Sequence, residues 1–161
     1  MAGIASGITY RKGDATAPEA DGERILCHVC NDAGGWGKGF VLAISRRWKE
    51  PEAEYRAWHA EGDAGGFRLG AVRLVRVEPA LLVANMIAQR GVRPTNGVPP
   101  IRYDALRECL SALAEHATAL RASVHMPRIG CGLAGGSWPD VESIVESTLL
   151  AAGIAVVVYD F

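Results

Sequence analysis

Ser123-Val-His-Met-Pro-Arg-Ile129, then Gly130-Cys-Gly-Leu-Ala-Gly-Gly136, then Pro139 to about Ala152 follow one another along the chain. The first reads as a strand, the second as a glycine loop and the third as a helix. Pro139 suits a first helical turn, Val141, Ile144, Val145 and Leu149 recur at helical spacing, and Gly153 suits the end. Ile154 to Tyr159 is an apolar run that reads as the next strand. Strand, glycine loop, helix and strand in that order are the repeating unit of an α/β domain.

The same alternation extends upstream. Ile8 to Lys12 reads as a short strand, and Ile25-Leu-Cys-His-Val-Cys30 as a strand covered on both faces. A second glycine cluster follows, then helices over about Phe40 to Trp48 and Glu52 to Glu61. Ala71 to Val77 alternates apolar and charged residues as a half-exposed strand does, and Leu81 to Ile87 is a further strand after a turn at Pro79. Residues 91–100, with Gly91, Pro94, Gly97, Pro99 and Pro100, read as a mobile loop. Tyr103 to Leu120 carries Leu106, Leu110, Leu113, Ala117 and Leu120 on one helical stripe. The expectation is one three-layer α/β domain over residues 1–161.

Composition narrows the function classes. Of 161 residues, 49% are apolar and 22% charged, so the chain is neither disordered nor fibrous. With 17 basic and 18 acidic side chains the formal charge is −1, which argues against binding bulk nucleic acid through its phosphates. The longest apolar stretch, Ala151 to Tyr159, falls far short of the ~20 residues that a membrane span needs, and residues 1–10 lack the pattern of an export signal. A cytoplasmic monomer with reduced thiols, no membrane partner, no cofactor and no metal is expected.

Chemistry concentrates in the two glycine loops. In Gly130 to Gly136, glycines let the backbone approach a ligand, and successive N–H groups before a helix form an anion site without a basic side chain. A ligand-free connector is the other reading of this stretch. It also matches G-x-G-x-x-G, with Asp160 about two dozen residues on. The match lies too near the C-terminus for the rest of a mononucleotide unit to follow, so a Rossmann oxidoreductase is not expected. The second loop, Asn31-Asp-Ala-Gly-Gly-Trp-Gly-Lys-Gly39, also joins strand to helix. Two such loops suit an extended phosphate-bearing ligand. Asn31 and Asp32 suit ribose hydroxyls or, alternatively, a turn and a helix cap. Trp36, flanked by glycines, is expected to be exposed and to gate the ligand or stack on it. Cys27 and Cys30, three apart in a strand, point to opposite faces and read as buried thiols rather than a metal or redox pair. Cys131 reads as packing, and His28 as a hydrogen-bonded core histidine.

These residues resemble the macrodomain family, which binds ADP-ribose. The resemblance rests on Ile8-Thr-Tyr-Arg-Lys-Gly-Asp14, on the loop from His28 to Gly39, and above all on Met126-Pro-Arg-Ile-Gly-Cys-Gly-Leu133 leading to Trp138. That string is similar to the branch containing terminal ADP-ribose protein glycohydrolase. The resemblance implies a mixed sheet of about six strands between helices. It also implies adenine contacts from Asp14 and Ala15, with Tyr159 and Phe161 lining that side. Ile129, Gly130, Cys131, Gly132, Leu133, Ala134 and Gly135 would cradle the diphosphate. Asn31 with Gly34, Gly35, Trp36 and Gly37 would hold the distal ribose.

The branch's attacking lysine and following acid correspond here to Gln89 and Ala134. Glutamine cannot form a Schiff base, so the resemblance implies direct attack by water. Asp32 would orient it, with Asn31, Asn85 and Gln89 supplying hydrogen bonds and the ligand's phosphate a base. The expected function is removal of mono-ADP-ribose from acidic protein side chains or from bases such as thymidine in DNA. The alternatives are a non-catalytic ADP-ribose reader and an ADP-ribose-1''-phosphate phosphatase.

Overall fold

Parallel strands need long crossovers, whereas a two-residue turn forces an antiparallel hairpin. Both rules operate here. The computed structural model describes residues 7–161; that part of the export-signal reading which concerns residues 1–6 lies outside the described residues. The elements are β1 (Thr9–Lys12), β2 (Arg24–Asn31), α1 (Phe40–Arg47), α2 (Glu50–Glu61), β3 (Val72–Glu78), β4 (Leu81–Gln89), α3 (Tyr103–Leu120), β5 (Ser123–Met126), α4 (Trp138–Thr148) and β6 (Val156–Asp160). They build one six-stranded sheet in the order β1-β6-β5-β2-β4-β3. Only β3 runs antiparallel, paired with β4 across the Pro79-Ala80 turn; every other pair is parallel. The expected mixed six-stranded α/β sheet is therefore present.

Each face of the sheet carries two helices. Ile25, Cys27, Ala84, Met86 and Val124 pack with α3 and α4, whereas Leu26, Cys30, Val83 and Ile87 pack with α1 and α2. Cys27 and Cys30 thus lie in different cores, as the period of a strand requires. On α3, Leu106, Leu110, Leu113 and Ala117 are buried, but Leu120, the last residue of the helix, is 39% exposed. The strand expected over 123–129 stops at Met126. Pro127 follows, and proline has no N–H to give a ladder. Among the described residues no helix is long and apolar enough to cross a membrane.

Two buried histidines contribute to the dependence of stability on acid pH. Asn85 Nδ2 donates to Pro51 O, so its Oδ1 is the acceptor for His28 Nε2–H at 2.6 Å. His125 lies between Ser123 Oγ and the Tyr159 hydroxyl, each at 2.8 Å. Burial first of all pushes both imidazoles down from 6.5 to about 4. Unfolding frees them, so between pH 4 and 6.5 the unfolded chain binds more protons. Stability is then complete above about pH 6.5 and falls as pH drops, by up to about 1.4 kcal/mol per pH unit for each histidine. Denaturant midpoints measured from pH 7 down to about pH 4.5 are expected to decline accordingly, and a flat series would contradict it.

Candidate functional site

In open α/β sheets, ligands sit outside the carboxyl ends of parallel strands, where neighbouring strands lead to opposite faces. Here that place lies between β2 and β5. They are parallel neighbours, yet β2 leads to α1 on one face and β5 to α4 on the other. Two cavities open there. One of about 390 Å³ is lined by Gly13, Asp14, Ala15, Thr16, Arg47 and Tyr159, among others. One of about 670 Å³ takes in Asn31, Gly35, Gln89, Gly130, Gly132 and Leu133. Phe40 and Pro127 line both, so the two cavities adjoin along one cleft at the strand ends.

Asp14, Ala15, Tyr159 and Phe161, all expected together, do meet at the smaller cavity. Asp14 Oδ1 accepts from the Thr16 N–H at 2.8 Å and its hydroxyl at 2.7 Å, while Oδ2 lies 3.4 Å from Arg47. The Thr16 hydroxyl bond above all holds this carboxyl below the usual carboxylate range. The Tyr159 ring is buried, with its hydroxyl fixed by the Glu19 N–H and His125.

At the junction the loop after β5 folds on itself. Gly135 N–H donates to Gly132 O and Gly136 N–H to Gly130 O. Among the described residues, the five successive N–H groups from Gly130 to Ala134 have no acceptor. Backbone donors left unpaired in a row form an anion cradle. Ile129, Gly130, Gly132, Leu133 and Ala134 line the cleft. Cys131 does not: its thiol turns to Ile129 O at 3.4 Å. Gly135 is likewise outside the lining, backed against Pro99.

In the loop after β2, Asn31 is the organiser. Its Oδ1 accepts from the Ala33 and Gly35 N–H groups and the Tyr55 hydroxyl, and its Nδ2 donates to Gly35 O at 2.8 Å. Gly35 and Gly37 line the cleft, but Gly34 faces α2, where a β-carbon would stand 2.7 Å from the His59 ring. Trp36 overturns the expectation of an exposed gate. It is 3% exposed, donates to Ser45 Oγ at 2.7 Å and packs edge-on against His28. A glycine on each side lets the chain turn the indole inward instead of leaving it mobile.

Two of the expected catalytic groups are also displaced. Asn85 is fully buried in β4 and spent on His28 and Pro51, so it reaches no ligand. Asp32 is outside the cleft lining, and its Oδ1 accepts from the Gly91 N–H at 2.8 Å, tying down the loop after β4. Gln89 does line the cleft, its Nε2 donating to Gly91 O at 3.0 Å. Sequence reasoning missed Phe40, the shared wall, and Arg128. The Arg128 guanidinium sits over the Tyr10 and Trp138 rings at 5.1 and 5.2 Å and binds both oxygens of Asp160, pinning the loop after β5 to the edge of the sheet. The cue for Arg128 is a pair of aromatics far apart in sequence, Tyr10 in β1 and Trp138 at the start of α4, which meet in the fold.

No family model matches the chain. A macrodomain protein from Streptomyces coelicolor, however, is 54% identical to it with a TM-score of 0.85, covering 96% of this chain and 99% of that one. The chain belongs to the macrodomain family. A protein of unknown function from Bacteroides thetaiotaomicron is also 54% identical, covering 98% and 100% with a TM-score of 0.93. Chromodomain-helicase-DNA-binding protein 1-like of Danio rerio is 34% identical across 94% of this chain. The chain spans only 15% and 18% of the length of the first two curated relatives it matches. ADP-ribose glycohydrolase OARD1 of Bos taurus is 26% identical, covering 96% of this chain and 91% of its own length. ADP-ribose 1''-phosphate phosphatase of Candida albicans is 22% identical, covering 86% and 92%.

Proposed function

We propose that the cleft holds ADP-ribose and that the protein removes mono-ADP-ribose from a modified macromolecule, an acidic protein side chain or a base such as thymidine in DNA. The observation that carries this is the row of unpaired N–H groups from Gly130 to Ala134 beside the wall that joins the two cavities. In this reading the diphosphate lies between an adenine end at Asp14, Ala15, Tyr159 and Phe161 and a ribose end at Asn31, Gly35 and Gly37. Relatives named as an ADP-ribose glycohydrolase and an ADP-ribose 1''-phosphate phosphatase support the same ligand. All four cysteines are free, which fits a reducing compartment such as the cytoplasm.

Without the branch's lysine, attack falls to water. The Gln89 Nε2 bond to Gly91 O leaves Oε1 free to accept from that water and aim it at the anomeric carbon. The water oxygen bonds to this carbon as its bond to the carboxyl oxygen breaks and the carboxylate departs. An amide oxygen is no base, so the water's proton passes to the ligand's own phosphate. A non-catalytic reader is the second reading, favoured by the lack of any Asp or Glu among the residues lining the larger cavity.

Calorimetric titration with ADP-ribose, followed by incubation with ADP-ribosylated protein and ADP-ribosylated DNA, tests both. Binding with release from one substrate is expected. Binding without release from either leaves the reader, and no binding overturns both.

A further inference from the structure

The larger cavity is lined by three cations, Lys38, Arg93 and Arg128, and by no carboxylate, on a chain whose net charge is −1. Arg128 is neutralised by Asp160. Lys38 and Arg93 are exposed, and neither joins an ion pair among the described residues. They stand on different loops, after β2 and after β4. These loops meet where Val92 Cγ1 comes within 3.5 Å of the place a β-carbon on Gly35 would take. Neither cation lines the smaller cavity. In the reading above, main-chain N–H groups already serve the diphosphate, so these two charges remain for what lies beyond the distal ribose.

We infer that Lys38 and Arg93 form an anion clamp for the macromolecule that carries the ADP-ribose, and that this partner is a peptide segment with acidic residues beside the modified side chain. The inference rests on the proposed ligand of the cleft. Two lone cations suit one or two carboxylates, whereas a nucleic acid needs an extended basic surface and exposed rings on which bases stack. The exposed apolar neighbours at this cavity are aliphatic, Val92 at 53% and Leu133 at 61%, which suit the stems of peptide side chains.

The test measures binding of the whole chain to three peptides carrying ADP-ribose through a non-hydrolysable linkage. They differ only in their flanks: two Glu, two Ser or two Lys. The Glu-flanked peptide is expected to bind roughly three- to tenfold more tightly than the Ser-flanked one, the scale of two exposed ion pairs. The gap is expected to narrow in about 0.5 M salt. In the double variant Lys38→Glu, Arg93→Glu, the order of Glu and Lys flanks is expected to reverse, whatever its affinity for free ADP-ribose. Equal affinity for all three peptides, with free ADP-ribose still bound, overturns the clamp alone. An ADP-ribosylated oligonucleotide held more tightly than the Glu-flanked peptide overturns the choice of partner. Failure to bind free ADP-ribose overturns the reading of the cleft and the clamp with it.

Discussion

Gly132→Val is expected to bind ADP-ribose at least tenfold more weakly than the native protein, a loss of about 1.4 kcal/mol or more, while unfolding at an unchanged denaturant concentration. Gly132 lines the cleft, its backbone is not left-handed, and a β-carbon there meets nothing within 4 Å. A branched side chain therefore costs the fold little and projects into the space assigned to the diphosphate. Gly136 is the contrast in the same loop. A β-carbon on it would stand 2.5 Å from Gly130 O, so Gly136→Ala must shift the loop backbone, with a stability cost of about 1–3 kcal/mol. Calorimetry with ADP-ribose and denaturant unfolding on both variants separate the effects. Native affinity in Gly132→Val would remove the diphosphate from this loop.

Local pattern carried the architecture because each strand and helix here announces itself within a few residues. In β2 the alternate residues Ile25 and Cys27 against Leu26 and Cys30 divide between the two cores, and the order of elements alone implies crossovers and a parallel sheet. The glycine loops at the strand ends were legible for the same reason. What failed needed contacts between distant residues. Nothing near Trp36 says that Ser45 will accept its indole N–H, and nothing near Asn85 says that His28 and Pro51 will consume its amide. Asp32 is turned away for a more local reason. Neighbouring residues in extended chain point to opposite sides, so once Asn31 faced the cleft its neighbour was free to turn towards Gly91.

Asn31 therefore matters as the post around which its loop is wound, and this makes an expectation that a direct catalytic role would not share. Asn31→Ala removes the acceptor for the Ala33 and Gly35 N–H groups and the donor to Gly35 O. The expected stability loss is about 1–2 kcal/mol, since these groups are only partly buried and water replaces some of the bonds. The loss of ADP-ribose affinity is expected to be larger, on the order of tenfold, because an unfixed loop must be ordered again when the ligand binds. Tyr55 is fully buried and holds the same loop from α2: its hydroxyl accepts from Gly34 N–H and donates to Asn31. Tyr55→Phe keeps the ring and removes only a hydroxyl whose hydrogen bonds, among the described residues, go to Gly34 and Asn31, yet it too is expected to weaken ADP-ribose binding several-fold. With both changes together, the loss is expected to fall short of the sum of the two, as for residues acting in one network. A Tyr55→Phe protein with native affinity, or strictly additive losses, would instead mean that Asn31 acts on the ligand by itself.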